Sequence, residues 1–563
     1  MKKITSIVSC ILLVCFVVTA FAACNPNGVD VDELVINNWA DYIFDEAEFK
    51  KETHDFIDYY KQVTGRQIKV TYSTFDTNET LLTRLTQGDS IADVVCPSEY
   101  AIQKLLEMDM LVPLYYFDED IYTAGFNDAT KANYVHNSDN VEEQILTKVE
   151  QTFGEFDITV DAKGNGKYNQ TETVTMKDCF VPYMYGTLGI LYNKYAFMDL
   201  GIYSEEIMNK ANWGILFNDD GEGNILSNGL TGNILMKDSI RDSYAATIFY
   251  LQERGKLNGI LDEQGNDYGA MPANKLINAV DDNLLKIVRE TLTEQKEQLF
   301  GYEVDFGKDD LLMGNAIVDL AWSGDAMYAV EESWNDELDD YELAYYVPHS
   351  AGNIWFDGWV VPKTYNPKHL EQIKIFINYL NSTKCAALNY MEIGYTPAIK
   401  PEVLLNDDSE DGARAVLSAG YYVYDPDYWD LIDEDGNKLT VDDCDYASWD
   451  EFVEYFFDLE GNNLDEIDNS NWRYPFVSAE FNVDNNRSLG SLGVMRDFGD
   501  NNKKVVTAWN HARSAGVSAL PLLGWTVLAV AVALGVLFAV IGFRRWRSHS
   551  VITRTSPKGQ ADN

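Results

Sequence analysis

The chain has 563 residues, with 90 Asp and Glu against 43 Lys and Arg, a formal net charge of −47 and 13% aromatic residues. A field of that sign makes nucleic acid and anionic membrane surfaces poor partners and attracts cationic solutes, although most such acidity only keeps an exported surface soluble. The six histidines are scattered, and no HExxH, GxSxG, P-loop or GxGxxG pattern occurs, so the common metallohydrolase, serine-hydrolase and nucleotide-binding signatures are excluded.

The first element is a leader. Lys2 and Lys3 precede an apolar run over 11–20, and Phe21-Ala22-Ala23-Cys24 follows. The pattern predicts a signal peptide over 1–23 with Cys24 as lipid acceptor; ordinary cleavage near Ala22–Ala23 is the alternative.

The exported body, 33–513, reads as alternating strands and helices. Leu34-Val35-Ile36-Asn37-Asn38 predicts a strand, 46–64 one amphipathic helix ending at Gly65, and Ile68-Lys69-Val70-Thr71-Tyr72 a second strand. A helix over 80–87, a strand at Ala92-Asp93-Val94-Val95-Cys96 and a helix over 101–108 follow. This β-α-β-α-β order implies a parallel sheet with ligand at the carboxyl ends of its strands, where Trp39, Tyr42, Ser98 and Tyr100 fall. In the segment 153–177, Asp161, Asn165, Gly166 and Glu172 hold positions of a calcium loop, but the alternating flanks make a β-hairpin the better reading. Asp219-Asp220-Gly221, Asp262-Glu263-Gln264-Gly265 and Asp433-Glu434-Asp435-Gly436 read as polar turns. Later strands are expected at 181–184, 190–192, 233–236, 316–322 and 344–347. Cys96, Cys179, Cys385 and Cys444 are widely spaced, and their redox state is left open.

The C-terminal part ends differently. No charge occurs between Arg513 and Arg544, and 519–543 is long enough to cross a bilayer. Arg544-Arg545-Trp546-Arg547 follows, so a transmembrane helix over 519–543 and a cytoplasmic basic tail over 544–563 are expected.

Three distant segments each pair a tryptophan with a carboxylate: Asn38-Trp39-Ala40-Asp41-Tyr42, Trp322-Ser323-Gly324-Asp325 and Trp355-Phe356-Asp357. A tryptophan face attracts a cation and a carboxylate accepts charge-assisted hydrogen bonds from an ammonium group, so together they would box an organic amine. Taken singly, a tryptophan in an α/β domain is more often core packing and an aspartate is more often solvated. Trp213, Trp334, Trp429, Trp449, Trp472 and Trp509 are assigned to the core on that ground.

These segments, with Cys96-Pro97-Ser98-Glu99-Tyr100, Pro182-Tyr183-Met184-Tyr185-Gly186 and Ile393-Gly394-Tyr395-Thr396-Pro397 in the same order, make the chain resemble the polyamine-binding proteins of spermidine/putrescine ABC importers. The resemblance implies a two-lobed periplasmic-binding-protein type II fold, two α/β lobes with a hinge and an interlobe cleft. It implies lobes formed by 33–182 with 357–398 and by 183–356 with 399–513. It implies ligand contacts from Trp39, Asp41, Tyr42, Ser98, Tyr100, Ser239, Asp242, Trp322, Asp325, Trp355, Asp357 and Tyr395. Asp238-Ser239-Ile240-Arg241-Asp242 departs from the family pattern by carrying Ser239 where a carboxylate is usual. The expected partners are a polyamine and a membrane permease, for a monomer without cofactor or metal. A binding protein for another small solute, a membrane-tethered sensor and a glycosidase using paired carboxylates are the alternatives.

Overall fold

The computed structural model describes residues 31–88, 92–114, 137–161, 167–202, 212–338, 340–348, 350–409, 412–425, 440–457 and 492–515. The leader with Cys24, the apolar stretch 519–543, the tail 544–563, Trp429, Trp472 and the turn at Asp433 lie outside them. Among the described residues no helix is long and apolar enough to cross a membrane.

The first lobe starts from β1 (Asp32–Trp39), in which Leu34 and Ile36 are fully buried. β1 lies between β2 (Ile68–Phe75) and β3 (Val94–Val95), parallel to both. The segment expected to form one helix over 46–64 forms two, Glu46–Lys51 and Asp55–Thr64. The break has a local cause. Glu52 takes a left-handed conformation, φ 60°, and the His54 side chain accepts from Phe56 N to begin the second helix. Gly65, at φ 72°, ends it in the position that favours glycine.

The insertion is a hairpin of β4 (Glu155–Val160) and β5 (Gln170–Thr175), as its alternation predicts. Glu172 stands in that ladder opposite Ile158.

Two expected strands are one. β6 (Val181–Asn193) runs unbroken for 13 residues and joins the lobes. Its first half pairs with β13 (Gly352–Trp359), and its second half with β9 (Val318–Trp322) and β12 (Leu343–Tyr346). Glycines interrupt its apolar pattern because neighbours crowd it. A Cβ on Gly186 would sit 2.2 Å from Ser323 Oγ and 2.7 Å from the Trp355 ring, and one on Gly189 would sit 2.5 Å from the Tyr345 ring.

The second lobe continues outward from β9 to β7 (Ile234–Lys237) and β8 (Leu299–Glu303), all parallel. A core around Trp213, Phe249 and Leu284 packs beneath it. Smaller pairings are β10 (Trp334–Asn335) with β11 (Asp340–Tyr341), β14 (Thr396–Pro397) with β6, and β15 (Leu492–Gly493) with β13. Helices at Pro401–Leu405, Ala413–Gly420 and Trp449–Phe457 share a separate core with Thr383–Ile393. The helix Asn502–Ser514 packs on Asp282–Gln295 of the second lobe.

Trp213 and Trp449 are buried as expected, but Trp334 is 46% exposed, on the short β10–β11 ladder where nothing covers it. Cys96, Cys179, Cys385 and Cys444 are all free, and the first three are buried.

Candidate functional site

The parallel strands of the first sheet and β7, β8 and β9 of the second aim their carboxyl ends at one cavity of about 420 Å³. From the first lobe come Trp39–Tyr42 after β1, Thr77–Glu79 after β2 and Ser98–Tyr100 after β3. From the second come Asp238–Asp242 after β7, Val304–Lys308 after β8 and Trp322–Asp325 after β9. β13, which crosses between the lobes, adds Trp355 and Asp357, and Tyr395 follows the helix Thr383–Ile393. All twelve residues nominated from the sequence lie in this one lining.

Aromatic rings build the wall. Tyr42 meets Tyr395 edge-on, with centroids 5.0 Å apart, and Tyr395 meets Trp355 at 5.7 Å. Tyr395 rests flat against Gly324, where a Cβ would lie 2.2 Å from the ring. Trp39 leans on Phe75 at 4.5 Å. Four buried polar atoms of the lining have no close hydrogen-bond partner among the described residues, Trp39 Nε1, Tyr42 Oη, Trp355 Nε1 and Asp357 Oδ1, with the Tyr42 hydroxyl near the Asp357 carboxylate. Buried polar atoms are normally paired, so this set in one lining marks a candidate ligand position.

The carboxylates divide into two sets. Asp357, 6% exposed, has its pKa pushed up to about 7 by burial; Ser98 and Tyr42 favour its charged form, and Asp242 opposes it. Burial also raises Asp242 and Glu79. Glu99, beneath the cavity, is raised to about 8 by burial although Phe356 N donates to it at 3.0 Å. No lysine or arginine among the described residues forms an ion pair with Asp357, Asp242 or Glu79.

The second set already holds cations. Asp325 accepts from Lys308 Nζ at 3.0 Å and lies 3.9 Å from Lys237 Nζ. Lys237 is fully buried, pairs with Glu303 at 2.5 Å and stands 4.3 Å from the Trp322 ring centroid. Burial opposes its charge, but Glu303, Asp319 and Asp325 outweigh that and raise its pKa. Asp238 pairs with Arg513 at 2.7 Å. The Trp322–Asp325 box, expected to be open to ligand, is therefore lined with the protein's own ammonium groups.

Several nominated residues have structural duties as well. Ser239 caps the helix Ile240–Glu253 by accepting from Asp242 N. Ser98 exchanges two hydrogen bonds with the Asn78 side chain. Asp41 is exposed, at φ 50°. The sequence reading missed Lys237, Lys308, Glu79 and the helix Asn502–Ser514, which contributes Trp509, Asn510 and Arg513 to the lining. Trp509 is 5% exposed and packs like a core residue, so its pattern gave no warning.

Paired α/β lobes, two connecting strands and an orphan-lined cavity between carboxyl-end loops define an extracellular solute-binding protein. The chain belongs to that family: the family model for bacterial extracellular solute-binding proteins matches residues 55–416. It is 24% identical over 357 residues to the putrescine-binding periplasmic protein SpuD of Pseudomonas aeruginosa, covering 63% of this chain and 74% of that one. It is 23% identical over 350 residues to the putrescine-binding periplasmic protein PotF of Escherichia coli, covering 62% and 72%. Among solved structures it is similar to the Tp0655 (TpPotD) lipoprotein of Treponema pallidum, with a TM-score of 0.48, 15% identity and coverage of 86% and 99%.

Proposed function

We propose that this protein captures a polyamine outside the cytoplasm and presents it to an ABC permease. The observation that carries the reading is the set of Asp357, Asp242 and Glu79, none in an ion pair among the described residues, in one cavity with the rings of Trp355, Tyr42 and Tyr395. A cationic chain suits that lining in two ways. Its ammonium ends supply the charge the buried carboxylates lack, and its methylenes pack on rings. A neutral sugar would leave those carboxylates uncompensated, and an anion would be repelled. The putrescine-binding proteins among the relatives point to the same ligand class. No chemistry on the ligand is proposed: it is bound and released unchanged, by a monomer.

The anchoring is part of the proposal. Lipid on Cys24 and a span over 519–543 would each hold the body on the outer face, with 544–563 inside.

The test is thermal. With the full chain in detergent, putrescine or spermidine at millimolar concentration should raise the melting temperature by mass action, while glucose and glutamate should not. An equal or larger shift with glucose would refute the polyamine reading.

A further inference from the structure

The cavity contains a carboxylate that a cation already occupies, and the cation belongs to the protein. Asp325 lines the cavity together with Trp322 and Tyr395. Lys308 reaches it from the helix Gly307–Leu312 just after β8, Nζ to Oδ1 at 3.0 Å, with its side chain 23% exposed to the cavity. The Trp322 ring is covered in turn by Lys237 at 4.3 Å.

The two lysines differ in what they are free to do. Lys237 is locked: its side chain is 1% exposed, with Glu303 at 2.5 Å and the Val304 carbonyl accepting at 2.9 Å. Its 3.9 Å separation from Asp325 leaves that carboxylate's close contact to Lys308. Lys308 makes that one ion pair on a flexible four-carbon stem. Its charged neighbours are Asp325, Lys237, Asp41 after β1 and Asp305 on the preceding turn, with the Tyr328 ring 5.6 Å away.

We propose that Lys308 stands in for one ligand ammonium at Asp325, and so biases the cavity towards a diamine over a triamine. The inference rests on the polyamine reading and makes it narrower. A diamine can place its ends among Asp357, Asp242 and Glu79, none of which is in an ion pair among the described residues, although Arg241 favours the charged forms of Asp242 and Glu79. A longer triamine that reaches Asp325 must put a charge against Lys308 or pull Lys308 off Asp325. Both cost affinity, because like charges repel in a partly desolvated site and a broken ion pair leaves a charge uncompensated.

The experiment is calorimetric titration of the full chain in detergent with putrescine and with spermidine, for wild type, Lys308→Met, Lys308→Gln and Lys308→Arg. The wild type should bind putrescine more tightly. Lys308→Met and Lys308→Gln free Asp325, so spermidine affinity should rise at least about tenfold relative to putrescine, a change of about 1.4 kcal/mol. Lys308→Arg keeps the cation and should keep the wild-type order. Melting curves show which variants are folded, and either neutral variant suffices. Wild type that prefers spermidine, or an unchanged ratio in both neutral variants, overturns the proposal. Absence of binding by either amine in wild type and variants alike overturns the polyamine reading, and the Lys308 proposal with it.

Discussion

On the proposed reading, recognition turns on Asp357. It is buried, its Oδ1 has no partner among the described residues, and no internal cation compensates it. Asp357→Asn should weaken polyamine binding by ~2–4 kcal/mol, because a desolvated ammonium loses its charged acceptor; Asp435→Asn, in a stretch whose sequence reads as a polar turn, should change affinity by no more than about 0.5 kcal/mol. Titration of both variants decides, and equal losses would show that bulk acidity attracts the ligand. The raised pKa gives a second consequence. Near pH 7 Asp357 is partly protonated in the free protein, whereas an alkyl ammonium stays charged to about pH 10. A bound cation favours the carboxylate, so binding should expel protons and tighten as pH rises from 6 to 8. In the free protein the sign is opposite: a carboxyl raised on folding contributes stability below its unfolded value, and this is lost as pH rises towards about 7. Binding heats measured at pH 7 in buffers of different ionisation enthalpy should therefore differ, and should converge in Asp357→Asn. Lys237 and Lys308 were not visible in the sequence as site residues, because each is selected by partners distant along the chain or across the sheet. The tryptophan–carboxylate segments were visible because both members of each lie within a few residues.

At the level of the element, β6 and β13 decide the geometry. The β-α-β-α-β order of the first lobe was legible because capping and alternation are local signals. β6 was legible only as two fragments: Gly186 and Gly189 interrupt its pattern, and their reason lies in Ser323, Trp355 and Tyr345 on other elements. The break at 52–54 was missed for a similar reason, since His54 acts as a cap by accepting at one ring nitrogen and donates to Phe44 O through the other. Crowding at Gly186 gives a direct prediction. Gly186→Ala should destabilise the protein by ~1–3 kcal/mol, the usual cost of overpacking, and should displace the Trp355 ring that walls the cavity. Chemical denaturation measures the first effect and amine titration the second. A variant as stable as wild type with unchanged affinity would show that the strand relaxes freely. Trp509 was read as ordinary core, yet its helix Asn502–Ser514 brings Arg513 to pair with Asp238 at the cavity.

Across the whole molecule, the fold places two sheets so that six parallel-strand ends share one space, and acidity there becomes specific instead of merely solubilising. The attachment of that body to a membrane is tested by fractionation. Cys24→Ala should remain in the membrane fraction after a high-salt wash, because a transmembrane helix is effectively permanent and a single acyl chain is not. Loss of the protein to the supernatant would show that 519–543 is not a span. The central claim is tested most directly by calorimetric titration of the full chain in detergent with putrescine, spermidine and glucose. One amine should bind per chain with release of heat, glucose should give none, and Asp357→Asn should abolish most of the amine signal. Glucose binding at one per chain, or amine binding at many weak sites that survives Asp357→Asn, would contradict the account.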